Sequence, residues 1–575
     1  MKQKYHSNMD TSDARSLAIW LPVIAVVMAA FAVLYIPMNI QSPLFWVWLC
    51  FGGFAVAVVL TLFGWIPAGD EHTLAVWNTL TTIRSVIVIG ILAFLAIGGI
   101  LSTPLFGAGA YATRIQPQES SWDEWSDKMR MDGISLMDTS TATTAGNREL
   151  GSLSDVVNKY DDGEYQQEVV NGEPVKVSAL KYATGMQAFL NASTGTPGYV
   201  TVDPVKQDAD YHSLDGIDGT GNSMIYVPSG FMLDNLAIHL HMQYPTWLID
   251  NTHFELDEDG HPFYVSVAYH NSCALFGAPV IDRVIVTDPT NGNSTDYAPD
   301  DAPDWVDDIY DGEYLVSVYN DYGRYSGGFL NSLFGQSGCT KVDDDYGYIM
   351  IDGEQYIYTG ITSMNSDASN IAFLLASERT GKAYTIPMPA ADERSAMDSA
   401  KGKVQQYGYD ASFPSLVSID GQATYVMVLK DSANLIRKYA MVNAESYNVV
   451  AVEDTLEQCR SSYEDAMRQA GISFEGDGQE MPAVSADGET GSSDGKQSKD
   501  TEFSTTVAVM QLADKDGTTY AYILGDDGNL YVVGYAGNAK ALMTLSAGKA
   551  ISGTAHDDGN GSMIVTTFVT EATAK

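Results

Sequence analysis

Three long apolar runs crowd the first 106 residues, and no comparable run follows them. They span Leu17–Ile36, Leu44–Ile66 and Ser85–Phe106. The last, SVIVIGILAFLAIGGILSTPLF, contains no charged residue. Its length matches the roughly 20 residues a helix needs to cross hydrocarbon. Trp46, Trp48 and Trp65 stand near both ends of the second run, as membrane interfaces favour. The pattern predicts three transmembrane helices over residues 17–106, after a cytoplasmic segment 1–16. Lys2, Lys4 and Arg15 precede the first run and Arg84 the third. The positive-inside rule then puts the N-terminus inside and residue 107 onward outside, a multi-pass protein of the cell membrane. Ala30-Phe31-Ala32 offers a signal-peptide cleavage pattern. The apolar run continues past it to Ile36, which favours an uncleaved helix; cleavage would leave residue 107 onward on the same side. None of the runs holds an acid or base, which argues against a pump acting alone.

Beyond residue 106 the pattern changes to short periodic segments separated by turn signals. Residues 107–173 read as a juxtamembrane stalk and the start of an outer domain. Trp122, Trp125, Met129 and Met131 have loosely helical spacing, and Thr139–Thr144 has the composition of a flexible loop. In residues 174–473, Leu180, Ala183, Met186 and Leu190 predict a helix over Val177–Leu190. A strand follows at Tyr199–Val202, a glycine-rich loop at Ser213–Asn222 and a helix at Phe231–Met242. Hairpin turns are expected at Asp257–Gly260, Asp288–Gly292, Asp352-Gly353, Glu378–Lys382 and Asp420-Gly421. Helices are expected at Trp305–Tyr319, Ala390–Gln405 and Asp454–Ala470. Residues 474–501 are acidic and rich in Gly and Ser, the composition of a linker. In residues 502–575, strands are expected at Thr505–Leu512, Thr519–Leu524, Leu530–Tyr535, Ala541–Leu545 and Met563–Val569. The fold class expected is thus a three-helix membrane anchor, an α+β extracytoplasmic domain of repeated antiparallel hairpins, and a small all-β barrel of OB or SH3 type.

Charge sharpens this picture. The first 106 residues carry four basic and four acidic groups, so the whole net charge of −42 falls on residues 107–575. Such a surface repels nucleic acid and suits a wet, cation-containing exterior. The chain has four cysteines, with no CxxC spacing, which excludes a dense disulfide framework. Cys273, Cys339 and Cys459 leave open either one bridge with a spare thiol or three free thiols.

Candidate chemistry is sparse. Asp257-Glu258-Asp259-Gly260 and Asp514-Lys515-Asp516-Gly517 resemble fragments of calcium loops. Ser266 or Ile523 stands where the bidentate Glu belongs, so hairpin turns are the better reading. Carboxylate runs such as Asp343-Asp344-Asp345 leave calcium as the one cofactor still open. His239 and His241 would point apart on a helix. His253, His261 and His270, near Cys273, lack ligand spacing, so no metal site is expected. Gly335-Gln336-Ser337-Gly338-Cys339 is not a nucleophile elbow. No catalytic residue is nominated. Tyr346, Tyr348, Tyr356 and Tyr358 form a tyrosine-rich hairpin that either packs on a sheet or offers a sugar- or peptide-contacting face.

The strings HMQYPTWLIDNTHFELDEDGHPFYV, ALFGAPVIDRVIVTDPTNG, APDWVDDIY, GITSMNSDASNIAFLLASERT, SAMDSAKGKVQQYGYDASFPSLVSI and LKDSANLIRKYAMVN cover much of Lys176–Gly471. Together they resemble a family of uncharacterised membrane-anchored surface proteins of Gram-positive, Clostridia-like gut bacteria. That resemblance implies a bacterial envelope setting and no activity. The hairpin turns are also similar to those of PepSY-type modules, which implies helices packed on antiparallel sheets and peptide binding or protease inhibition. The expected function is a membrane-anchored extracytoplasmic binding or scaffold protein. Its partners would be the lipid bilayer, through three helices, and an envelope protein, peptide or glycan, with no nucleic acid. The alternatives are an accessory subunit of a transport or secretion complex and a cell-surface hydrolase.

Overall fold

Strands carry most of the architecture. The computed structural model describes residues 35–49, residues 71–472 with short gaps, and most of 501–570. It divides into two compact units, Met1–Gln479 and Glu480–Lys575.

The expected anchor of three straight transmembrane helices is not what the structure shows. Among the described residues no single helix is long and apolar enough to cross a membrane. Only the pair Ser85–Leu101 and Pro104–Ala112 meets the length and composition together, and it is bent by 52°. Most of Leu17–Ile36 and most of Leu44–Ile66 lie outside the described residues. The apolar run Ser85–Phe106 is therefore not one straight helix. Helix α1 (Glu71–Leu101) stops at Ser102-Thr103, and α2 (Pro104–Ala112) begins with a proline. Proline lacks an N–H and clashes with the preceding turn, so it belongs at a helix start. The Ser102 hydroxyl donates to the Gly98 carbonyl at 2.7 Å. It also accepts from the backbone N–H groups of Leu275 and Phe276 at 3.1 and 2.9 Å.

The expected stalk is core instead. Strand β1 (Gln118–Glu119) and helix α3 (Trp122–Trp125) lead into a segment whose Trp125, Met129 and Met137 are buried. The threonine-rich stretch read as a loop is helix α4 (Thr139–Ser152). Asp138 caps it by accepting from the Thr141 N–H at 2.9 Å.

Four sheets follow in chain order. The first contains β2 (Tyr160–Asp162), β3 (Gln166–Val170), β4 (Glu173–Tyr182), β5 (Gly198–Val202) and β6 (Ala209–Ser213), with both β2 and β3 on one edge of β4. The expected helix Val177–Leu190 is here mostly strand β4. Its residues Lys176–Leu180 are buried on both faces, so the alternation that marks a half-buried strand is missing. Helix α5 (Gly185–Leu190) starts only after it, followed by the short α6 (Leu214–Ile217) and by α7 (Leu236–Gln243).

The second sheet is the antiparallel meander β7 (Leu248–Leu256), β8 (Pro262–Cys273), β9 (Gly277–Thr287) and β10 (Ser294–Tyr297). Helix α8 (Gly312–Tyr325) begins later than the expected Trp305, because residues 302–311 run as a loop. The third sheet holds β1, paired in parallel with β15, together with β11 (Thr340–Val342), β12 (Gly347–Ile351), β13 (Glu354–Ser363), β14 (Asn370–Ser377) and β15 (Ala383–Ala390). After α9 (Glu393–Lys403) comes the fourth: β16 (Asp410–Ala411), β17 (Ser415–Ile419), β18 (Gln422–Lys430), β19 (Ile436–Asn443) and β20 (Val450–Glu453), closed by α10 (Leu456–Ala470).

The turns lie where the turn residues put them. Asp352-Gly353 and Asp420-Gly421 both have positive φ at each position (55° and 83°; 50° and 80°), the requirement of a two-residue type I′ hairpin. One core lies between the third and fourth sheets and α9 and α10. A second joins α4 to the first two sheets. Helix α8 covers the other face of the third sheet, and the 302–309 loop covers the other face of the second.

In the second unit, β21 (Thr501–Lys515), β22 (Thr518–Gly525), β23 (Leu530–Gly534), β24 (Ala550–Asp557) and β25 (Ser562–Thr570) close into a barrel. Its fourth strand lies at Ala550–Asp557, not at the expected Ala541–Leu545. Leu542 and Leu545 are instead buried as plugs of the core.

Candidate functional site

The first three sheets and the N-terminus of α8 meet around a cleft of about 470 Å³. Its wall is polar, and its parts come from separated segments. Gln166 and Gln167 are on β3, Lys176 on β4, Asp250 and Asn251 on β7, Asp311 at the α8 cap and Gln355 on β13; Tyr346 and Tyr348 lie at β12.

Local chemistry fixes these parts. Asn251 has φ 39° and forms a bulge at which β7 slips register against β8. Asn tolerates this left-handed backbone better than most residues, and bulges re-aim side chains. Here the Asn251 amide donates to Asp311 Oδ2 at 2.7 Å. Asp311 also caps α8, its Oδ1 accepting from the Tyr314 N–H at 2.7 Å. The next residue must be small, because a side chain on Gly312 would run into the Tyr346 ring. Tyr346 and Tyr348 meet edge to face, with centroids 5.6 Å apart.

Lys176 is the decisive group. It is 3% exposed, yet it lines the cleft. Burial pulls its ammonium down to about 8, and of the surrounding acids only Asp138 pushes it back. Asp138 is already committed to Lys430 and to capping α4. Gln167 Oε1, also in the wall, has no hydrogen-bond partner among the described residues. Buried polar groups are ordinarily satisfied, so the lining carries spare hydrogen-bonding capacity.

Behind the cleft lies a cluster of acids. Glu255 Oε1 is 2.7 Å from His253 Nε2, and its carboxylate also accepts from the Asp307 and Asp308 N–H groups at 3.0 and 3.2 Å. Asp307 Oδ2 accepts from the Val169 N–H at 2.7 Å, and Glu168 Oε2 from the Leu256 N–H at 3.2 Å. The Gln355 amide donates to Glu378 Oε2 at 2.6 Å. Burial raises Glu168, Asp307, Asp308 and Glu378, with neighbouring carboxylates adding to it; Asp307 reaches about 8 and Asp308 about 6. Burial would lower His253, but the charges of Asp308 and Glu255 hold it up at about 9. Their hydrogen bonds tie β3, β7, β13 and the 302–311 loop together at the sheet junction.

The four nominated tyrosines do not share a face. Tyr348 pairs across the hairpin with Ile357, and Tyr346 and Tyr348 pack on the α8 side. Tyr356 and Tyr358 point the other way, against Trp125 and Phe413. Tyr358 is fully buried. Only Tyr346 and Tyr348 line the cleft.

The remaining candidates are dispersed. Asp257 folds its turn by accepting from the Asp259 and His261 N–H groups at 3.0 and 2.8 Å. Ligand atoms of Asp257, Asp259 and His261 lie within 4.8 Å of one another at an exposed hairpin tip. His239 and His241 bind separate carbonyls, of Gly292 and Ile36, at 2.7 and 2.8 Å. His270 faces Asp282 at 2.9 Å. Cys273, Cys339 and Cys459 are buried free thiols. Ser337 sits in a loop organised by the Asn331 side chain. Asp343, Asp344, Asp516 and Gly517 lie outside the described residues.

Lys176, Asn251, Asp308 and Asp311 were missed by the sequence reading. A signal did exist for the first: a lone lysine inside the apolar run Pro174-Val175-Lys176-Val177. Compared with known proteins, the chain matches no family model and no curated protein.

Proposed function

We propose that this chain is a binding protein whose ligand sits in the cleft between the first three sheets. One observation carries the reading: Lys176 is buried, has no ion-pair partner among the described residues and lines an open polar cleft. An uncompensated buried charge is costly, and a ligand that pairs with it restores the loss. Tyr346 and Tyr348 add rigid contact area at small entropic cost. The cleft lining includes no Ser, Cys or His among the described residues, so it offers no nucleophile paired with an imidazole base.

The setting we propose is a cell envelope. Val86, Ile89, Leu92 and Ile97 along Ser85–Leu101 are each more than half exposed and need cover. Lipid contact through the bent pair supplies it. Cell fractionation checks this part: recovery of the full chain in the soluble fraction without detergent would overturn it.

The binding reading is tested by thermal shift of the full chain against peptides, peptidoglycan fragments and glycans. A ligand of the cleft should raise Tm, and Tyr346→Ala should weaken it at least tenfold. One observation favours a hydrolase as the second reading: Asp308 is a carboxylate in the cleft wall whose Oδ1 has no hydrogen-bond partner among the described residues, and burial raises its pKa, the direction a general acid needs. Turnover of any library member, abolished by Asp308→Asn in a folded protein, would replace binding with catalysis.

A further inference from the structure

The cleft is polarised. Among the described residues, Lys176 is the one cationic side chain in its wall. Asp250, Asp308 and Asp311 supply negative charge, and Glu164 and Glu313 stand exposed at the mouth. Asp308 Oδ1 is buried without a hydrogen-bond partner among the described residues. Only Asp138, outside the lining, acts appreciably on Lys176. The positive and negative groups thus form separate poles and do not neutralise each other by direct contact.

This arrangement discriminates by charge. A simple anion must pass acidic side chains at the mouth and approach a chain of net charge −42, which disfavours it. A simple cation gains from the aspartates but leaves Lys176 unpaired and repelled. A neutral ligand satisfies hydrogen bonds but leaves Lys176 uncompensated. A molecule carrying both charges answers each pole, and charge-assisted hydrogen bonds are roughly twice as strong as neutral ones. A volume of about 470 Å³ falls within the usual range for small-molecule sites. A second, more apolar recess of about 290 Å³ shares Asp250, Asn251 and Asp311 with the cleft. It gives an apolar substituent a place beside the negative pole.

We propose that the cleft takes a small dipolar ligand of the amino-acid or short-peptide class, its carboxylate against Lys176 and its ammonium against Asp250 and Asp311. The inference rests on the binding reading above and adds the chemical class. Lys176 Nζ donates to the carboxylate, while the two aspartates accept from the ammonium.

The test uses the full chain and an equimolar pool of dipeptides, followed by isothermal titration. Three further probes are the same pool N-acetylated, the same pool C-amidated, and neutral mono- and disaccharides. The free pool should bind, and each blocked pool should bind at least tenfold more weakly. Lys176→Met should abolish the preference for a free carboxylate while Tm stays equal or rises, since a buried charge is removed. Blocked pools or saccharides binding as well as free dipeptides would overturn the dipolar class and leave the binding reading standing. Free dipeptides binding equally to wild type and a folded Lys176→Met would overturn the assigned pole. No binding by any probe overturns the class, and binding by no member of the wider library overturns the binding reading too.

Discussion

At the residue scale, the buried acids make stability depend on pH with a definite sign. Asp307 is raised from 3.8 to about 8. Between those values the native state binds more protons than the unfolded chain, so stability falls as pH rises through that window. Asp308, raised to about 6, acts in the same direction over the lower part of it. His253, raised from 6.5 to about 9, extends the fall. Lys176 has the opposite sign: lowered from 10.5 to about 8, it returns stability only as pH rises between those values. The expected result is a Tm that drops from about pH 5 to about pH 8. Asp307→Asn keeps an acceptor for the Val169 N–H, and should flatten the drop and raise Tm at pH 8. A wild-type Tm that climbs over the same interval would contradict the assignment. Gly312 allows a separate check. Gly312→Ala sets a methyl against the Tyr346 ring, an overpacking change worth about 1–3 kcal/mol in urea denaturation.

At the element scale, the break between α1 and α2 is held by a side chain. Ser102 gathers the Gly98 carbonyl and the N–H groups of Leu275 and Phe276 at the β8–β9 tip, and it is itself buried. Ser102→Ala leaves two backbone donors unpaired, at roughly 1–3 kcal/mol each if no water reaches them. Faster amide exchange at Leu275 and Phe276 is the expected readout; unchanged exchange would show that the tip does not depend on this hydroxyl. The same element shows why parts of the chain were legible and others not. Turn residues act locally, so Asp352-Gly353 and Asp420-Gly421 announce their hairpins unaided. Hydropathy counts apolar residues but does not see Pro104 end a helix, so Ser85–Phe106 looked continuous. Strand β4 is covered on both faces and lost its period of two. The cleft was legible only through Tyr346 and Tyr348. Tyr356 and Tyr358 share their hairpin, but the pleat sends them into the other core. Lys176 comes to line the same cleft as Asp250 and Asp311 only through tertiary packing of separate segments, which no local pattern encodes.

At the scale of the whole molecule, the chain divides into compact units at Gln479/Glu480. That boundary falls inside the acidic Gly- and Ser-rich stretch 474–500, which lies outside the described residues. Its composition offers little apolar surface to bury against either neighbour. The barrel beyond it has its own core, built from Val507, Ala521, Ile523, Tyr531, Val533 and Ile551. Closure of β21-β22-β23-β25-β24 removes free strand edges, so the barrel needs no partner strand to satisfy its backbone. These facts predict that limited proteolysis of the full chain cuts first within 474–500. It should release a fragment beginning near Thr501 that keeps its β-sheet circular dichroism and melts cooperatively by itself. Small domains bury proportionally less surface, so its Tm should lie below that of the larger fragment. Cleavage that begins elsewhere would move the boundary. A released fragment without a cooperative transition would show that the barrel depends on the rest of the chain.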